Sequence, residues 1–213
     1  YPHSLHGYFL RRGDADYPTI MRGARDRDGR SYSARHVVAL QRGEAIFTAS
    51  VSFHVDEDGG DFPGTPLPAR IPMPEDLVEW DHGIFANMFE LRGLFPDNLH
   101  GETRRRIPRQ LWARTRDPLP DDRVLHTCAL VYLSDISNGF AGLQVPDLPP
   151  GGPSLDHSIF FHRPVLLDDW VFMGLEPLSA AGARGVYRGS IHDRSGRLGA
   201  TVFQETLLRP ARP

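Results

Sequence analysis

From Glu44 to Val55 the chain alternates residue by residue. Ile46, Thr48, Ser50, Ser52 and His54 fall on one side, and Phe47, Ala49, Val51, Phe53 and Val55 on the other. Successive side chains of a strand point to opposite faces, so this is a half-buried antiparallel strand with one wholly apolar face. Such a strand needs neighbours for its backbone groups and a covering layer for its apolar side. The flanking sequence supplies the neighbours. Arg42-Gly43 turns the chain back from the strand-like run Ser31 to Gln41. Asp28-Gly29 is the strongest short hairpin signal in the chain, because Gly tolerates positive φ. Thr19 to Arg25 is a further strand candidate. So is the apolar run of Leu5, Tyr8, Phe9 and Leu10, closed by Arg11-Arg12-Gly13-Asp14. Residues 3–54 are therefore expected to be a β-rich block.

Residues 56–74 are rich in Asp, Gly and Pro and read as a linker. Pro74-Glu75-Asp76 can open a short helix with acids in its first turn. Phe89 to Leu91 and Gln110 to Arg114 look like short strands around an Arg-rich stretch. The clearest helix begins after Pro120, where Asp121 and Asp122 suit a helix N-terminus. Val124, Cys128 and Val131 mark one face at i, i+4 and i+7, and Gly139 is a plausible stop. After a Pro/Gly-rich connection at 146–153 come four strand candidates, 154–161, 170–178, 185–192 and 198–208, with Ser195-Gly196 turning the last pair. The order suggests two halves that are a diverged structural repeat, with a helix in the second only.

Composition narrows the chemistry. The 213 residues make one large domain or two small ones. All 24 basic residues are arginine, which excludes a Schiff-base lysine, a phosphate-loop lysine and a lysine base. The single Cys128 excludes an intramolecular disulfide and a cysteine-rich zinc site. A net charge of −3 argues against a broad nucleic-acid face. No apolar stretch approaches the roughly 20 residues of a membrane span, and no secretory signal is visible at Tyr1. A cytoplasmic location is expected.

Three residues are candidates for chemistry. Asp135 aligns with Val124 on the helix, which puts a carboxylate on the apolar stripe. If the helix ends first, it is instead a C-terminal-turn Asp clear of the core. Ser154 opens the polar cluster Ser154-Leu155-Asp156-His157-Ser158, where alternation sets Ser154, Asp156 and Ser158 opposite Leu155 and His157; turn-forming polar residues at a strand start are the plainer alternative. Gln204 faces the same way as Val202, Thr206 and Leu208, so an inward amide must find partners, and a satisfied structural Gln is the commoner case. Asp156 and His157 point apart and cannot easily pair. Metal-type His spacing and a Gly-x-Ser-x-Gly elbow are both absent. Arg104-Arg105-Arg106 is read as a solvated loop rather than a phosphate site, and Cys128 as a small core hydrophobe.

Six segments, in order, resemble the acyl-CoA thioesterase II family. They are His3 to Asp14, Arg27 to Arg35, Ser134-Asp135, Leu155 to Pro164, Ala183 to Gly185, and Thr201 to Glu205. The resemblance implies an α+β tandem double hotdog: two curved antiparallel sheets, each around a central helix. It places an N-terminal hotdog at 1–58, a linker at 59–85 and a C-terminal hotdog at 86–213. Family members carry a strand and a helix ahead of the segment matching His3. None precedes Tyr1 here, so the first hotdog is expected to lack its helix, leaving Phe47, Val51 and Phe53 uncovered. The implied activity is hydrolysis of acyl-CoA to fatty acid and CoA by water bound to Asp135, Ser154 and Gln204, with Ser154 where many members have Thr. No cofactor or metal is implied, and the implied partners are acyl-CoA and further copies of the chain, as a dimer or tetramer. The rival readings are a non-catalytic acyl-CoA-binding module and a hotdog hydratase or dehydratase.

Overall fold

A computed structural model describes residues 1–95, 108–143, 149 and 151–209. Arg104-Arg105-Arg106 lies outside the described residues. Along the chain come β1 (Pro2–Phe9), β2 (Ile20–Asp28), β3 (Tyr32–Gln41), β4 (Glu44–His54), β5 (Phe89–Gly93) and β6 (Gln110–Thr115). Then follow α1 (Arg123–Ser134), β7 (Asp156–Phe161), β8 (Val171–Ala181), β9 (Arg184–Asp193) and β10 (Leu198–Leu207). The strands form one antiparallel sheet in the order β2-β3-β4-β1-β7-β10-β9-β8-β6-β5. The turn between β3 and β4 has positive φ at both Arg42 and Gly43, the tight hairpin geometry expected from that dipeptide.

The two expected sheets are joined edge to edge through β1 and β7, where Leu5 lies opposite Ile159. Ser4 pairs with Phe160 and His6 with Ser158, so the register is symmetric about that pair. Outward from it the strands repeat: β4 flanks β1 as β10 flanks β7, with Val51 opposite Leu5 and Val202 opposite Ile159. The sheet thus carries a local two-fold repeat, which accounts for the β-block at each end of the sequence.

The repeat is unevenly covered. In the C-terminal half Leu130, Leu133, Tyr187, Ile191, Ala200 and Val202 belong to one cluster of buried residues. In the N-terminal half Phe47, Val51 and Phe53 remain half-exposed, while Ala39 and Ala49 are buried. On the opposite side of the sheet Trp112, Trp170 and Phe172 pack against Leu67, Ile71 and Leu77 of the Pro-rich connection. The Trp112 indole donates to the Pro72 carbonyl at 2.9 Å. That connection has no regular secondary structure before the 3-10 turn at Pro74–Asp76, yet it serves as a strap over this face.

The helix corrects one expectation. Its buried residues are His126, Leu130, Leu133 and Ser134, whereas Val124 is 49% exposed and Cys128 lies at the surface. Cys128 is therefore not a core hydrophobe. Both stripes have helical spacing, and the structure selects the one whose polar member has a partner: His126 Nδ1 accepts from the Leu167 N–H at 3.1 Å. The helix also ends five residues before Gly139, at Ser134. Gly139 has another use. A Cβ there would meet Tyr187 Cβ at 2.3 Å, so only glycine lets the following loop lie against that ring.

Candidate active site

The site is built where α1 ends. Asp122 caps the helix start, its carboxylate accepting from the Val124 N–H at 2.8 Å. At the other end Asp135 is the C-cap, outside the helical ladder, and the buried Ile136 and Phe140 anchor the chain that follows. The alignment with Val124 therefore does not explain Asp135, since the helix stops first and Val124 itself is exposed. Asp135 reaches the sheet from the helix terminus.

Ser154 is brought in by a close backbone approach. A Cβ on Gly152 would stand 1.8 Å from the Leu207 carbonyl oxygen, so residues 152–154 run against the end of β10 only because glycine is there. Thr206 Oγ1 donates to the Gly152 carbonyl at 2.8 Å, and the Leu207 N–H donates to the Pro153 carbonyl at 2.9 Å. Ser154 then bridges Thr206 ahead of the regular strand β7.

Gln204 joins the two. It lies on the inward face of β10, 2% exposed, and its amide nitrogen donates to Asp135 Oδ1 at 2.9 Å and to Ser154 Oγ at 2.5 Å. All three predicted residues therefore meet, around one amide group. Burial pushes the Asp135 carboxyl above the ordinary carboxylate range, opposed by His157 and by hydrogen bonds from Gln204 and Ser154. The Asp135 side chain still keeps 39% exposure, enough to be reached by water. Tyr187, buried beside it, is held neutral by burial and by the charges of Asp135 and Asp156.

His157 is the residue that sequence reasoning left out of the site. It is buried, with Nδ1 against Gln204 Oε1 and Nε2 2.8 Å from Ser134 Oγ. Strict alternation puts Ser154 and His157 on opposite faces. The break between the Ser154 bridge and β7 lets both reach Gln204. Asp156 is engaged elsewhere, accepting the Glu205 N–H at 2.7 Å, and so does not pair with His157. The signal available in the sequence was the inward parity of His157 itself, shared with Ile159 on the buried face.

A long antiparallel sheet packed on one central helix, with polar groups gathered at the helix end, is the hotdog architecture. The chain matches a hot dog fold protein of Alicyclobacillus acidocaldarius with a TM-score of 0.73 at 15% identity, over 99% of this chain and 80% of that one, a likeness of fold alone. Family models go further: residues 1–54 match the acyl-CoA thioesterase N-terminal domain and residues 65–208 its C-terminal domain. Acyl-CoA thioesterase 2 of Haemophilus influenzae is 32% identical over 235 residues, covering 97% of this chain and 79% of the relative. The crystal structure of acyl-CoA thioesterase II TesB2 from Mycobacterium marinum matches with a TM-score of 0.80 at 39% identity, over 99% of this chain and 81% of that one. The chain belongs to the acyl-CoA thioesterase family.

Proposed function

We propose that this acyl-CoA thioesterase hydrolyses its substrate with a water held by Asp135, Ser154 and Gln204. The observation that carries the reading is the single Gln204 amide donating to both Asp135 and Ser154. Asp135, with its affinity for protons raised, takes a proton from the water as the oxygen adds to the thioester carbonyl. Ser154 and Gln204 fix the base and the water relative to each other. The tetrahedral adduct then expels CoA as a thiolate. A thiol of pKa about 8.5 leaves readily, so little acid catalysis is needed. Neither a covalent enzyme intermediate nor a metal enters this scheme.

The N-terminal hotdog is assigned to 1–58, the linker to 59–85 and the C-terminal hotdog to 86–213. The strands β2 and β5 end the described sheet; Glu79 and Trp80 pair with part of β5, whereas β2 is exposed along its length and suits edge-to-edge assembly into a dimer or tetramer. No helix among the described residues is long and apolar enough to cross a membrane, in keeping with a proposed cytoplasmic location. The test is thiol release from a panel of acyl-CoAs by the wild type and by Asp135→Ala. Turnover by the wild type and its loss in the variant is the expected result. Full turnover by Asp135→Ala sinks the assignment, and saturable acyl-CoA binding without any hydrolysis favours a binding module.

A further inference from the structure

We propose that His157 is a positioning residue for this hydrolysis, its Nδ1–H holding the Gln204 amide so that the NH2 end faces Asp135 and Ser154. The proposal rests on the trio assigned above. A glutamine amide is nearly symmetric in shape, but its two ends are opposite in hydrogen-bond character. A carboxylate can only accept, so the NH2 end must face Asp135. At 2% exposure Gln204 has little water around it to set its orientation.

Something on the far side must therefore bind the carbonyl end, and His157 Nδ1 does so. That oxygen only accepts, so Nδ1 carries a proton. The contacts of the other ring nitrogen accommodate that proton in two ways. Nε2 lies 2.8 Å from Ser134 Oγ, and the same hydroxyl lies 2.7 Å from the Val131 carbonyl. If Ser134 gives its one proton to Nε2, the ring is neutral and its own proton sits on Nδ1. If Ser134 gives it to Val131, Nε2–H donates to Ser134 and the ring is cationic, again with Nδ1 protonated. The remaining tautomer, with a bare Nδ1, would set two lone pairs against each other. Flipping the amide to relieve that would turn its oxygen onto the Asp135 carboxylate. Helix end, imidazole, amide and carboxylate thus form one chain in which each link sets the next. His157 Nδ1 stands 3.9 Å from Asp135 Oδ1, too far for a hydrogen bond, so the ring acts through Gln204.

The experiment compares kcat and KM for acyl-CoA in the wild type, His157→Leu, His157→Asn, Ser134→Ala and Asp135→Asn. Leu fills much of the ring's space and donates nothing. Asn keeps an amide N–H near the position of Nδ1 but leaves a void. We expect His157→Leu to lose about 10- to 100-fold in kcat, the scale of a mispositioned reacting group, with KM essentially unchanged. His157→Asn should recover most of that loss although it packs less well. A packing role predicts the opposite order. Wild-type kcat in His157→Leu, an Asn variant as impaired as Leu, or a loss confined to KM overturns the proposal. Should His157→Leu fail to fold, Ser134→Ala decides: reduced kcat at unchanged KM supports the chain, and wild-type kcat refutes it. An inactive Asp135→Asn beside a fully active His157→Leu refutes the positioning role alone. A fully active Asp135→Asn refutes the trio itself.

Discussion

Replacing Gly152 with alanine should uncouple Ser154 from Gln204 without altering either. The added Cβ would lie 1.8 Å from the Leu207 carbonyl oxygen and 2.9 Å from its carbon. Carbon and carbonyl oxygen settle at about 3.3–3.6 Å, so the two segments must part by roughly 1.5 Å. A shift of that size breaks the bonds from Thr206 Oγ1 and the Leu207 N–H to residues 152 and 153. It also carries Ser154 Oγ, now 2.5 Å from the Gln204 amide, out of hydrogen-bond reach. Overpacking of this kind costs about 1–3 kcal/mol. Losing that one hydrogen bond should cost about tenfold in kcat, as deletion of the hydroxyl itself would. The neighbouring Gly151 is the internal control: its Cβ would lie 3.5 Å from the Asn138 side chain, an ordinary contact. Gly151→Ala should therefore keep its stability within about 0.5 kcal/mol and its turnover intact. Thermal unfolding and thiol release on both variants read the difference. Equal behaviour of the two, or wild-type kcat in Gly152→Ala, refutes the proposed link between backbone approach and chemistry.

Three other outcomes are expected. Burial raises the Asp135 pKa, so the folded protein keeps that proton to higher pH than the unfolded chain; Asp135 therefore costs stability increasingly from about pH 3.9 upward, fully above its folded pKa. Asp135→Asn should raise Tm at neutral pH, with the gain vanishing in acid, while kcat falls about 100- to 10,000-fold; in the wild type the acid limb of kcat/KM should lie above the ordinary Asp range. Ser154→Ala should cost about tenfold in kcat, near the net value of one hydrogen bond, whereas Ser154→Thr, which keeps the hydroxyl and restricts its rotamer, should lose nothing. Leu133→Ala should lose about 2–5 kcal/mol in a denaturant melt and the exposed Val124→Ala under about 0.5; comparable losses in both would contradict the buried stripe.

Strand positions were legible because their determinants are local. Alternation over Glu44–Val55 and the turns at Arg42-Gly43 and Ser195-Gly196 need only neighbouring residues. The helix face was not, because α1 carries two stripes of helical spacing, and a histidine takes a core position only when a distant backbone N–H, here that of Leu167, comes to meet it. Gln204 was legible as inward from its parity with Val202 and Thr206. Asp135 stands out in the sequence by its alignment with Val124, but its position follows from where the helix stops. The meeting of His157 with Ser154 is hidden from simple alternation, because the regular strand starts only at Asp156 and parity does not carry across from Ser154.

The local two-fold explains why the chemistry proposed here belongs to one half. Carried across the Leu5–Ile159 pair, Val51 stands where Val202 stands, and two residues further along β4 Phe53 occupies the place of Gln204. His3 is the counterpart of His157 by sequence count, but the register of β1 slips between Pro2 and Ser4, and His3 Nε2 bonds Ser52 Oγ at 2.8 Å instead. A phenyl ring cannot donate to a carboxylate and a hydroxyl at once, so the N-terminal copy of this position cannot assemble the arrangement. The repeated strand order supplies the sheet twice, since both halves need the same alternation to pair. The proposed site needs an amide at one inward position, and Phe53 in its place leaves the N-terminal half without it.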